Sequence, residues 1–141
     1  MMDGDKMRQM AKDLQTLLAS FAGGVPVYER EAPRNEGGAL SVEPPFAVYT
    51  ADTRAPENEG GEWAVDLTID VWSICSWASC YDVAEAMDDA LDSRAYTMES
   101  GTFCADRNGL VFERMERDPD DERIRRMQGQ YLLRFNPNMY E

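Results

Sequence analysis

Carboxylates dominate the groups that could do chemistry in this chain. There are 27 Asp and Glu against 14 Lys and Arg, and no histidine. Asp82, Glu85, Asp88, Asp89 and Asp92 stand close together, with Glu85 and Asp89, and Asp88 and Asp92, four residues apart. On a helix such pairs share a face and repel by about 0.2–0.5 kcal/mol each. A divalent cation would relieve the repulsion, but a calcium site takes about six oxygens from a shaped loop. The spacing therefore predicts a solvated acidic face and no metal site. Asp118-Pro119-Asp120-Asp121-Glu122 is similar to the opening of a calcium loop, but Arg123 fills the sixth position, where such a loop needs glycine. Cys75, Cys80 and Cys104 are an odd number, as suits free thiols in a reducing compartment. With no histidine they cannot assemble four good zinc ligands without carboxylates.

The lack of histidine also removes the commonest general base and the Ser/His and Cys/His nucleophile pairs. Only two lysines are present, Lys6 and Lys12, and no GxGxxG, P-loop, HExxH or GxSxG motif occurs. We expect no catalytic residues, no cofactor and no enzyme. A small enzyme using Asp or Cys stands as the third class of reading.

The chemistry left is that of surfaces. Net charge is −13, and it is uneven: residues 107–141 hold 7 Arg and 7 acids, while residues 1–106 hold 20 acids and 7 bases. A chain so acidic is a poor sequence-specific binder of nucleic acid. Arg123, Arg125 and Arg126 follow directly on a run of acids, so they either pair with those acids or meet a partner. Arginine and tryptophan are favoured at interfaces. Trp72 ends an alternating strand on its polar side, where a loop or another subunit must cover it, and Trp77 falls in the following loop. Trp72, Trp77, Arg123, Arg125 and Arg126 are the candidate oligomer or partner interface.

These residues need elements to position them. Met7, Met10, Ala11, Leu14, Leu17, Leu18 and Phe21 make one helical stripe, predicting a helix over about 4–22. Asp3 or Asp5 can cap it, Gly23 and Gly24 stop it, and Lys6, Lys12, Asp13 and Gln15 fall on its wet side. Short strands follow at 25–29, with a proline that suits an edge, and at 46–50, separated by loop chemistry over 30–44. Trp63, Val65, Leu67, Ile69 and Val71 alternate with Asp66, Thr68 and Asp70, a strand with one face on a core. Ser76 or Ser79 caps a second helix over about 80–93, with Val83, Met87, Ala90 and Leu91 inward. Residues 95–105 read as one strand interrupted at Gly101, joined by a hairpin turn at Asn108-Gly109 to a partner over 110–115. A last strand runs over about 123–135, with a bulge at Gly129.

The fold class that follows is α+β: a mostly antiparallel sheet with two helices packed on one face, in the order α-β-β-β-α-β-β-β. A length of 141 residues suits one domain over 1–141. No apolar run approaches the ~18 residues of a membrane helix. The charged start MMDGDKMRQMAKDL is not a secretory signal, so folding in a cytoplasm and no membrane partner are expected.

Several of these segments together resemble the tail-completion or tail-terminator proteins of long-tailed, siphovirus-type bacteriophages and prophages. The residues that carry the likeness are Pro45-Phe46-Ala47-Val48-Tyr49, the run Leu67-Thr68-Ile69-Asp70-Val71-Trp72-Ser73, the helix start Val83-Ala84-Glu85-Ala86-Met87 with Leu91, and Gln130-Tyr131-Leu132-Leu133-Arg134-Phe135. The resemblance spans about residues 5–135. It implies a non-enzymatic structural subunit that forms a ring, commonly a hexamer, at the head-proximal end of the tail tube. Such a ring stops tube growth and joins the neck. The partners implied are further copies of the chain, the tail tube protein and a neck or head-completion protein. The implied locations are the host bacterial cytoplasm during assembly and then the virion tail. An acidic or neutral lumen would let DNA pass without sticking. The reading from another class is a monomeric acidic DNA mimic that inhibits a DNA-binding protein.

Overall fold

The structure, a computed structural model, describes residues 4–38, 40–56, 62–74, 76–107, 112–115 and 123–137. Cys75, the Asn108-Gly109 turn, the Asp118–Asp121 turn and Asp3 lie outside the described residues. Two helices and seven strands occur in the order α1 Gly4–Phe21, β1 Val27–Glu29, β2 Phe46–Arg54, β3 Trp63–Ile74, α2 Trp77–Leu91, β4 Arg94–Thr97, β5 Gly101–Arg107, β6 Glu113–Arg114 and β7 Ile124–Pro137. This is the expected α+β class, with a sheet that is antiparallel except where β1 pairs parallel with β2. The strand order is β1-β2-β3-β7-β5-β4, with β6 beside β7.

The period-2 pattern sets the register. Val65, Leu67, Ile69 and Val71 of β3 are buried, opposite Leu133, Tyr131, Gly129 and Met127 of β7. Met10, Leu14, Leu17 and Leu18 of α1 and Cys80, Val83, Ala84, Met87 and Leu91 of α2 close over this face. Ala64, Asp66, Thr68, Asp70 and Trp72 form part of the opposite, outer face. Residues 30–44 do not simply connect β1 to β2. Ala32, Leu40 and Val42 fold back over Phe46, Val48 and Trp72 and build a second, small core on the outer face.

Four local expectations are corrected. First, Asp13 is not on the wet side of α1. It is buried, and its carboxylate accepts from the Ser100 N–H at 3.0 Å and from Gln9 at 3.0 Å, which ties α1 to the turn between β4 and β5. Gln15 is similarly engaged, donating to the Val27 carbonyl and accepting from the Tyr49 hydroxyl at 2.6 Å. Second, residues 95–105 fold back on themselves as the β4–β5 hairpin; Met98 and Gly101 exchange both backbone bonds. Gly101 sits at φ +155, and a Cβ there would lie 2.2 Å from the Asn136 carbonyl, so only glycine lets β5 approach β7. Third, β6 pairs with β7 rather than with β5. Both edges of β5 are taken, by β4 and by the last half of β7, and the first half of β7 is the edge left for β6. Fourth, the ladder runs through Gly129 without a bulge. Glycine is needed there because the Phe112 ring lies flat against it, 2.8 Å from where a Cβ would be.

Candidate functional site

The end of the sheet where β3 stops and β7 starts gathers the candidate interface residues. Period 2 sorts them onto two faces. On the outer face, Trp72 stands opposite Arg126. Its ring stacks on Phe46 with centroids 5.4 Å apart, and the Arg126 guanidinium lies 4.7 Å from the ring centroid. Arg126 also pairs with Asp70 at 3.6 Å, and Gln128 donates to the same carboxylate at 3.0 Å. Ala32, Leu40, Val42 and Phe46 belong to the small cluster that Trp72 packs against, and they leave it half-buried. The Trp72 indole N–H and the Arg126 Nε–H have no partner among the described residues.

On the helix face, Ser76 caps α2 by accepting from the Ser79 N–H at 3.1 Å, so Trp77 is the first residue of the helix and not part of a loop. Arg114 of β6 stacks 4.4 Å over the Trp77 ring and 5.4 Å over Tyr81, and donates to the Tyr81 hydroxyl at 3.2 Å. The Arg125 guanidinium lies 5.9 Å from the centroid of the same ring. Arg123 is exposed in the turn that opens β7. Tyr81 is 45% exposed, one of two large apolar side chains so open among the described residues. Trp, Tyr and Arg are the residues that dominate hot spots at protein interfaces. The sequence pattern does not single out Tyr81 or Arg114, because the pairing of β6 with β7 is what brings Arg114 over Trp77 and Tyr81. Tyr81 stands four residues after Trp77, on the same face of α2, which is the signal that could have found it.

The acids of α2 do other work than expected. Asp88 accepts from the Tyr131 hydroxyl at 2.6 Å and from Arg107 Nε and Nη2 at 3.0 and 2.9 Å, and Arg107 reaches Asp92 at 3.0 Å. A guanidinium thus neutralises the Asp88/Asp92 repulsion. Burial works to raise the Asp88 pKa, but the bonds from Arg107 and Tyr131 outweigh it and hold the carboxyl below its usual range. Burial, and then the hydrogen bond to Asp88, push the Tyr131 phenol far up, so it stays protonated. Cys80 is buried, with its thiol directed at the Arg125 carbonyl at 3.3 Å, and burial raises its pKa. Such a thiol is a packing group rather than a nucleophile. Among the described residues no group of three or more Cys, Asp or Glu is placed to hold a metal ion.

Placed against known proteins, the chain matches the family model described as tail completion protein gp17 over residues 6–135. The chain belongs to that family. The match covers every described element but the first two residues of α1 and the tip of β7, and makes this a phage tail structural protein. Among solved structures, a chain in the virion of a native gene transfer agent (GTA) particle is 21% identical, covers 84% of this chain and 83% of that chain, and has a TM-score of 0.52. Another solved chain, 12% identical, covers 100% of this chain and 99% of that chain at a TM-score of 0.55. At these identities the likeness is one of fold. No curated protein sequence matches. No helix among the described residues is long and apolar enough to cross a membrane.

Proposed function

We propose that the chain caps the head-proximal end of the phage tail tube, ends tube polymerisation and forms the surface that joins the head. It does so as a ring of its own copies, six in the proposed assembly, with the tail tube protein on one side and a neck or head-completion protein on the other. The observation that carries this reading is the family match over residues 6–135. The work is done by surfaces, without an enzyme's chemistry. The arginine and tryptophan cluster at the β3–β7 end, Trp72, Trp77, Arg123, Arg125 and Arg126, with Tyr81 and Arg114 added, is the contact for one of these partners. Assembly takes place in the host bacterial cytoplasm, and the finished ring stays in the virion tail.

The charge pattern favours this reading over a DNA mimic. A mimic needs acids spread unpaired along one surface. On the outer sheet face Asp66 pairs with Arg54 at 3.0 Å, Asp70 with Arg126, and Asp106 with Arg134 at 3.4 Å.

The test is location. Tails purified with a gold-labelled copy of the chain are imaged by electron microscopy. One label cluster at the head-proximal end is expected. Labels along the whole tube, or at the distal tip, overturn the proposal.

A further inference from the structure

The sheet has two open edges, and they match. β1 pairs only with Ala47–Tyr49 of β2. The Ala47 N–H donates to Pro26 and the Tyr49 carbonyl accepts from Arg30, so odd-numbered residues of β2 turn their backbone groups toward that edge. Past the end of β1, Ala51 and Thr53 do the same, with no strand beside them among the described residues. At the other margin, Met98 and Gly101 exchange both N–H···O bonds, at 2.8 and 3.2 Å. Alternation then makes Tyr96 and Phe103 the next bonded pair and turns the groups of Ala95 and Thr97 outward. Asp52, Thr53, Arg54, Ala95 and Thr97 are exposed. None of the outward groups of Ala51, Thr53, Ala95 or Thr97 has a backbone partner among the described residues.

The remaining strand margins are short or closed. β6 has two residues. On β1 the outward carbonyl of Val27 takes Gln15 Nε2 at 3.0 Å, and that of Glu29 takes the Glu31 N–H at 2.8 Å. Open edges are sites for adding a strand, and proteins that do not use them blunt them. Among the described residues the β1 margin is closed by Gln15 and Glu31, while the outward groups of β2 and β4 stay open.

The two open edges end the same rows. Arg54, Ala64, Arg134, Cys104 and Ala95 are successive partners across β2, β3, β7, β5 and β4. The four intervening pairings are all antiparallel, so β2 and β4 run in the same direction. Rotation of one copy onto the next preserves direction, and such a head-to-tail contact either closes into a ring or runs on as a filament. We infer that β4 of one copy adds in parallel to the Ala51–Arg54 edge of the next copy, continuing the sheet from subunit to subunit. This deepens the ring reading and rests on it for its closure.

With Thr53 opposite Tyr96, three bonds form. The Ala95 N–H donates to the Ala51 carbonyl, the Thr53 N–H to the Ala95 carbonyl, and the Thr97 N–H to the Thr53 carbonyl. The pleat agrees. Thr53 shares the helix face with its partner Val65, and Tyr96 packs on Phe21 of α1 at 4.9 Å on that same face. Asp52 and Arg54 then fall with Ala95 and Thr97 on the outer face.

The experiment places Asp52→Cys and Ala95→Cys together in a Cys104→Ser background, because Cys104 lies opposite Ala95 within the chain. Concentrated protein and isolated tails are both oxidised and run without reductant. A ladder of covalent oligomers that collapses on reduction is expected in at least one preparation, and single-cysteine variants give no ladder. Ala95→Pro and Thr53→Pro each delete an outward N–H and no internal bond. They are expected to keep the wild-type circular dichroism and to lower self-association about tenfold or more, as lost net hydrogen bonds would. Absence of the ladder from both preparations overturns the pairing, as does a link from either introduced thiol to a different tail protein. A chain found at tail ends without the ladder sinks the pairing and spares the capping role. A ladder from a chain that never reaches tail ends does the reverse.

Discussion

Asp88 shows how single side chains bind this fold together. It holds the Tyr131 hydroxyl and the Arg107 guanidinium at once, and so locks α2 to β7 and β5. Tyr131→Phe removes one charge-assisted bond and should cost about 1.5–3 kcal/mol at neutral pH, read from denaturant melts. The pH dependence has a definite sign. A carboxyl whose folded pKa is depressed gives stability that is present above its unfolded pKa, about 4, and is lost as pH falls through the folded value. The gap between wild type and Tyr131→Phe should therefore narrow below about pH 4. A constant gap would show that Asp88 is not the acceptor that matters. Tyr49 behaves in the opposite sense. Burial, with the Glu29 charge second, pushes its phenol up to about 12, so its share of stability is lost in alkali as pH climbs toward that value. Trp72 is a third case. Most of it is covered by Phe46 and the small outer cluster, so Trp72→Ala should lower stability by about 2 kcal/mol or more in addition to any effect on a partner.

At the scale of elements, alternation and helical stripe were enough to read β3, both helices and the class of the fold. Ile69→Asp should still unfold the protein, because Ile69 is 0% exposed among Leu67, Val71 and the helices. A variant with a normal melting temperature would invert the face assignment of β3. What the sequence could not show is pairing between segments. Nothing local says that β5 already has two neighbours, so Glu113 and Arg114 could not be sent to β7 by inspection. The reach of Asp13 to Ser100 spans 87 positions and leaves no periodic trace. Asp13→Ala should loosen the 98–101 turn and speed hydrogen exchange at the Ser100 amide far more than elsewhere, at a cost of about 1–3 kcal/mol for the donors left behind. Gly129 looked like a bulge because glycine in a strand often marks one. The Phe112 ring pressed on it is the actual reason. Gly129→Ala should push that ring aside and destabilise by about 1–3 kcal/mol, measured by thermal melting. Of the candidate interface residues, Trp72, Trp77, Arg125 and Arg126 lie at one end of the sheet, on two faces that only the strand register reveals.

The whole molecule offers its surfaces in two groups. Arginines and aromatics gather where β3 ends and β7 begins, and the open backbone edges lie on β2 and β4, in rows near the other end of the sheet. In the assembly proposed here the edges join copies side by side, and the arginine and aromatic end faces a neighbouring ring or the neck. Arg114→Glu combined with Arg125→Glu should then leave the fold and the lateral contact intact while lowering attachment to that partner, scored as unjoined heads and tails. The measurement that bears most directly on the central claim is tail length. In a phage lacking this chain, electron micrographs should show tubes of irregular, excess length without heads, and supplying the wild-type chain should restore a single length. Tails of uniform wild-type length joined to heads in its absence would contradict the account.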